Sequence, residues 1–256
     1  EAAFYTAGVG FLTMAAVIYG LRIPPFTRGA HGNPAQDMLE GLGFIRKNSI
    51  FSFLIGMTFF NSFFGLAYIT LMLIFAVEIL EAGSKGQGLL MSVGGAGALM
   101  ATMWLSSRSS TRYKGFLILG GAVLFGIFLI AFALTSQWIG SYFLALMLMF
   151  GVGLFNSGYN ISVQSSLQMM VPDAIRGRVM GFYSMIYSIS PLGALQAGVL
   201  ANLIGTPIAI AIGGLAVVGF AVGPATVNSK LRNLGTTLRE MESGEPTSVT
   251  SRQPSR

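Results

Sequence analysis

Four side-chain amides, Asn156, Asn160, Gln164 and Gln168, recur every fourth residue inside a stretch, 115–172, that holds no Asp, Glu, Lys or Arg. On a helix that spacing keeps them on one slowly rotating face. Thr58, Asn61, Gly65, Tyr68 and Met72 make a similar stripe, and Tyr183 and Tyr187 share a face of a later segment. Amides and phenols are neutral donors and acceptors, so the chemistry open to them is recognition by hydrogen bonding. In hydrocarbon such a group must find a partner or line a wet cavity. Two readings follow: glue between helices, worth about 0.6 to 2 kcal/mol per bond, or the wall of a binding cavity.

Groups that would do covalent or acid–base chemistry are scarce. The chain has no Cys, which removes thiolate metal sites, cysteine nucleophiles and disulfides together, and its one His, His31, sits in a Gly- and Pro-rich loop that requires no ligand role. There is no Ser-His-Asp set, no metal cluster and no pair of carboxylates within an apolar stretch, so neither an enzyme nor a metal or other cofactor is expected. Glu78, three residues before Glu81, is the one carboxylate near such a stretch. Its place at a helix end reads as a solvated rim.

The elements that must position these residues follow from composition and charge. Hydrophobic residues make up 53% of the chain and charged ones only 9%, with a mean hydropathy of +0.70. That is too little charge to cover the surface of a soluble domain. Residues 115–172 and 179–229 are each free of charge and far longer than the roughly 20 residues that cross one bilayer core, so each holds two spans. Continuous rather than alternating apolar runs predict helices and not a barrel. Seven helices are expected, at about 2–21, 49–77, 86–107, 115–134, 138–163, 179–204 and 207–227. Thr135-Ser136-Gln137 and Gly205-Thr206-Pro207 read as tight uncharged hairpins.

Basic residues orient the bundle. Of 15 Lys and Arg, all but Lys85 fall on one side. They are Arg22, Arg28, Arg46 and Lys47 after the first span, Arg108, Arg112 and Lys114 after the third, Arg176 and Arg178 after the fifth, and five more after the seventh. By the positive-inside rule these segments are cytoplasmic, and residue 1 starts outside. The net charge of +6 thus expresses topology and attraction to anionic headgroups, not nucleic-acid binding. Between the first two spans, Asn33 and Pro34 read as a helix start. Met38, Leu39, Leu42 and Ile45 then share an apolar face, predicting a short amphipathic helix on the cytoplasmic membrane surface. The tail from about Asn228 is rich in Ser, Thr, Pro and charge and reads as largely disordered. The first apolar span begins at once, on Glu1 rather than Met and without a signal-peptide pattern, so the expectation is a fragment that lacks upstream sequence.

Residues 38–46 (MLEGLGFIR) running into an apolar helix, residues 86–97 (GQGLLMSVGGAG) and above all residues 171–183 (VPDAIRGRVMGFY) resemble the carboxyl-terminal half of a major facilitator superfamily transporter. The branch that they resemble most is the enterobactin-exporter-like and macrolide-efflux-like group of bacterial proton-driven exporters. The resemblance runs to about Val227. It implies twelve helices in two six-helix halves: here the last helix of the first half (1–21), the central cytoplasmic loop (22–48), the six-helix second half (49–227) and a cytoplasmic tail (228–256). The missing amino-terminal half would be a partner, with the lipid bilayer, a small-molecule substrate and protons. In that arrangement the second and fifth spans line the central cavity, and Asn61, Tyr68, Asn156, Asn160, Gln164 and, from the sixth span, Tyr187 are the expected substrate-binding residues. Arg108, Arg112, Arg176 and Arg178 are the expected gating residues. The superfamily's loop signature of Gly, Asp-Arg and a basic cluster would fall at residues 105–115 (LSSRSSTRYKG), where the basic character is kept and the Asp is absent.

The resulting expectation is a multi-pass protein of the inner (plasma) membrane with a cytoplasmic carboxyl terminus. It would work as a secondary active transporter by alternating access, exporting small amphipathic compounds such as drugs or siderophores against protons. Other readings are a lipid-handling or sensing protein of the same fold and, more remotely, a seven-helix receptor. The receptor's motifs are missing: the third span ends in Ser-Ser-Arg and the seventh holds Gly-Pro-Ala-Thr. A retinal protein would need a Lys in mid-span, and none is there.

Overall fold

The computed structural model describes residues 2–20, 34–107 and 114–227, and every regular element among them is helical. In chain order these are α1 (Ala2–Gly20), α2 (Pro34–Lys47), α3 (Ser49–Phe60), a π-helical segment (Asn61–Gly65), α4 (Tyr68–Ile74), a second π-helical segment (Phe75–Ile79), α5 (Gly83–Ser107), α6 (Lys114–Trp138), α7 (Tyr142–Met170), α8 (Asp173–Tyr187), α9 (Ser190–Ile204) and α10 (Thr206–Val227). Contacts divide the chain into residues 1–36 and 37–256. In the first unit, α1 is apolar on all faces, and its part Gly8–Gly20 is a shorter apolar helix.

In the second unit six helical segments are long and apolar enough to cross a bilayer: Ser49–Ile79, Gly83–Ser107, Leu117–Trp138, Tyr142–Met170, Ile175–Ile204 and Thr206–Gly223. With α1 they match the seven segments expected, and the fold is an all-helical membrane bundle. The boundaries differ in instructive places. Thr135-Ser136-Gln137 is not a hairpin but the last turn of α6, where the Thr135 hydroxyl bonds back to the Ala131 carbonyl at 2.6 Å. The stop comes at Gly140, whose φ of +63° is a left-handed conformation open to glycine. Ser141 then caps α7 by accepting from the Leu144 N–H at 3.4 Å. At its other end α7 runs to Met170, past the expected 163, because residues 164–170 hold no helix breaker and Pro172 is the next one.

Two spans are interrupted near their middles. The second departs from α geometry at Asn61–Gly65, where the Leu66 N–H reaches back five residues to the Asn61 carbonyl at 2.8 Å. The sixth is two helices, α8 and α9, parted at Ser188-Ile189, with Pro191 in the first turn of α9 and so unable to donate an N–H. These breaks pack together. A Cβ on Gly193 of α9 would collide with the Phe63 carbonyl, so glycine there is what lets α9 approach the π segment. The same logic sets α5 against α7, where Gly153 abuts the Gly94 carbonyl and Gly97 the Phe150 carbonyl.

The buried apolar side chains form two clusters. One gathers Ile50–Met57 of α3 with Ile118, Tyr159, Val163, Leu167, Val179, Tyr183 and Ile186. The other gathers Tyr68, Leu71, Met72 and Phe75 with Leu90, Phe125, Leu129, Phe132, Met149 and Val152. Along the second span the gap between them holds the buried polar residues Thr58, Asn61 and Ser62.

The amphipathic helix α2 packs onto the helical bundle. Gly41 is buried, with its Cβ position 3.5 Å from the Arg178 backbone, and Ile45 is only 3% exposed and belongs to the first cluster. Phe44 meets Phe51 edge-on at 5.0 Å, and Ser52 donates to the Ile45 carbonyl at 2.8 Å, closing the corner into α3. Leu39, by contrast, is 66% exposed. The helix docks through the face that glycine leaves flat. Arg108, Arg112, His31 and the tail from 228 lie outside the described residues.

Candidate functional site

A continuous ladder of hydrogen bonds runs across three spans, from the layer between the two apolar clusters to tyrosines of the first cluster. Asn156 of α7 is its hub. Its Oδ1 accepts from Asn61 Nδ2 at 3.3 Å and from Asn160 Nδ2 at 2.9 Å. Asn160 Nδ2 also reaches the Asn156 carbonyl at 2.9 Å, an i to i−4 bond that the four-residue spacing makes possible. Tyr187 of α8 donates to Asn160 Oδ1 at 2.8 Å, and its oxygen lies 3.1 Å from the Tyr183 hydroxyl. Asn61, at the start of the π segment, thus leads through Asn156 and Asn160 to the tyrosines of the sixth span.

Each break helps. The π segment begins with Asn61, and a Cβ at Gly65 would lie 2.8 Å from Asn61 Oδ1, so the missing side chain leaves room for the amide. Next to Asn61, Ser62 donates to the Ile186 carbonyl at 3.2 Å, one residue before α8 ends. That carbonyl also accepts from the Ile189 N–H at 3.1 Å, in the turn that ends α8. The two interrupted spans are therefore tied together at the level where both are broken.

Most of the ladder is satisfied, but not all. Asn61 is fully buried, and its Oδ1 has no hydrogen-bond partner. The Tyr159 hydroxyl lies beside Thr58 but outside hydrogen-bonding geometry and is also buried without a partner. Thr58 itself donates to the Leu54 carbonyl at 2.9 Å. Asn156, Asn160 and Tyr187 are half-buried, so a polar molecule could reach them. No charged side chain takes part in these bonds. The arrangement can bind hydrogen-bonding groups, and it offers no fixed counter-charge.

Of the expected binding residues, the structure brings together Asn61, Asn156, Asn160 and Tyr187. Tyr68 is 8% exposed inside the second apolar cluster, away from the ladder. Gln164 is exposed, one turn beyond Asn160. Arg176 Nη2 lies 3.5 Å from the Val171 carbonyl at the end of α7, a favourable place for a cation. Arg178 offers its backbone to Gly41. Glu78 and Glu81 are exposed at the end of the second span. Sequence reasoning missed Ser62 and Tyr159. One residue is about 100° around an α-helix, which separates Ser62 from the Asn61 face, and nothing in the spacing announces the π turn. Tyr159 is one residue from Asn160 for the same reason.

A family model described as Major Facilitator Superfamily matches residues 1–194. No curated protein and no solved structure matches the chain. Six bilayer-length helices, packed through glycine seams around a buried polar layer, fit that match, and the chain belongs to the Major Facilitator Superfamily of membrane transporters.

Proposed function

We propose that this chain serves a secondary active transporter that works by alternating access, exporting small amphipathic compounds such as drugs or siderophores in exchange for protons across the inner (plasma) membrane. The observation that carries this reading is the ladder from Asn61 to Tyr183, set at mid-span where two helices are discontinuous. Irregular backbone at membrane depth is tolerated where it is buried in protein or lines a cavity, and transporter sites are built from such breaks. A ladder of neutral amides and phenols, without a charged partner in its bonds, favours a bulky, largely uncharged or aromatic ligand. Such a ligand would exchange its hydrogen bonds for those of the half-buried amides. The mid-span layer has no titratable carboxylate, so the proton-coupling group is assigned to the partner half of the transporter.

The test is transport by the full-length protein in everted vesicles under an imposed proton gradient, with dyes, macrolides and siderophores as cargo. Gradient-dependent, substrate-specific movement that falls in Asn156→Ala and Asn160→Ala is the expected result. No movement by a folded protein overturns export and leaves lipid handling or sensing by the same fold.

A further inference from the structure

The short helix α8, which carries both ladder tyrosines, is continued at neither end. Val171 and Pro172 leave helical geometry between α7 and α8, and the Ser188-Ile189 turn, followed by Pro191, parts α8 from α9. Its direction is therefore not inherited from a longer helix and must come from what packs along its side. One face, through Val179, Tyr183 and Ile186, lies in the first apolar cluster. Toward its carboxyl end the Ile186 carbonyl is tied to the Ser62 hydroxyl of the second span. Toward its start the Arg178 backbone lies against Gly41 of α2.

The partner at that start is itself anchored elsewhere. Ile45 of α2 is buried in the cluster, Phe44 meets Phe51, and Ser52 donates to the Ile45 carbonyl at 2.8 Å, so α2 and α3 form one corner. That corner is a fixed stop for α8. A Cβ at Gly41 would lie 3.5 Å from the carbonyl carbon, the oxygen and the Cβ of Arg178, which is ordinary contact, so a larger side chain aimed the same way must push α8 aside. Two residues on, a Cβ at Gly43 would meet nothing within 4 Å.

Arg178 and Ile186 are eight residues apart, about 12 Å of helix at 1.5 Å per residue. With Ile186 tied to Ser62, the contact with α2 is the far end of a lever, and Tyr183 and Tyr187 stand on either side of the pivot. Both swing with any tilt. The Tyr187 hydroxyl sits 2.8 Å from Asn160 Oδ1, and such a bond tolerates little change in length or angle.

We propose that Gly41 of α2 is a positioning residue for the ladder: its contact with the Arg178 backbone sets the tilt of α8 and so holds the Tyr187 hydroxyl on Asn160. The inference rests on this packing and not on the transport reading. It gives the helix before the second span a mechanical route to the polar layer.

Infrared spectroscopy of the full-length protein in phosphatidylcholine bilayers reads the bond itself, because the C–O stretch of a phenol moves with its hydrogen bonding. The Tyr187 band is the difference between each chain and the same chain carrying Tyr187→Phe. Gly41→Leu should shift that band, whereas Gly41→Ala and Gly43→Leu should leave it in place. Helicity by circular dichroism shows which variants fold, and Gly41→Val, a shorter wedge, carries the test where Gly41→Leu does not. In the vesicle assay Tyr187→Phe should raise KM in the Gly43→Leu background and no longer do so in Gly41→Leu. Absence of cargo movement in the unsubstituted protein counts against the transport reading alone, and the infrared comparison then decides the proposal. A band that stays in place in the folded Gly41→Leu or Gly41→Val chain, or that shifts equally in Gly43→Leu, overturns it.

Discussion

Asn156 Oδ1 accepts two hydrogen bonds at once, and Asn160 holds both Asn156 and Tyr187. Energies per bond are modest in a membrane because the unfolded chain also finds partners there. A double-mutant cycle of Asn61→Ala with Asn156→Ala should therefore give a coupling energy of about 0.6 kcal/mol and no more than roughly 1.7 kcal/mol, read from unfolding of the protein in bilayers. A coupling near zero would mean that the 3.3 Å contact contributes nothing. Tyr187→Phe keeps the ring and removes the donor to Asn160. If a substrate shares these bonds, its KM in the vesicle assay should rise by up to about tenfold, since a neutral hydrogen bond contributes about 0.5 to 1.5 kcal/mol. An unchanged KM would confine the ladder to structure.

Between elements, closeness is set by where glycine stands. Gly153 touches the Gly94 carbonyl, and a side chain there has nowhere to go. Gly153→Val should destabilise the α5–α7 pair by about 1 to 3 kcal/mol, the usual range for overpacking. Gly95, one residue along from Gly94, faces open space, so Gly95→Ala should leave thermal unfolding unchanged or raise it slightly. Equal effects from both would argue that the seam is loose. The break between α8 and α9 has a different origin, in Pro191 and the Ser188-Ile189 turn. Pro191→Ala would let the sixth span run straight, pull Ile186 from the Ser62 hydroxyl and weaken the tie between the two broken spans. Loss of cargo movement with retained folding is the expected outcome.

For the whole molecule, topology is the property that most needs a direct reading, and the absence of Cys makes it simple. Ser84 and Ser107 are exposed near opposite ends of α5. With single cysteines at each, an impermeant maleimide added outside cells should label Ser84→Cys and spare Ser107→Cys, as the basic loops predict. The reverse pattern would invert the proposed orientation.

Charge, hydropathy and the four-residue spacing of Asn156 and Asn160 were enough, by themselves, to specify helical spans, their number and the amide face of α7. Each of these is a local consequence of the bilayer's refusal of unpaired backbone and charge. What only the tertiary structure decided is non-local. It put Asn61 against Asn156 and Tyr187 against Asn160, bent the second span into a π turn beside Gly193 and buried Tyr68 away from the ladder. Periodicity reports which face of a helix a residue occupies, but a π turn shifts that face, and the packing of one helix against another decides which faces meet.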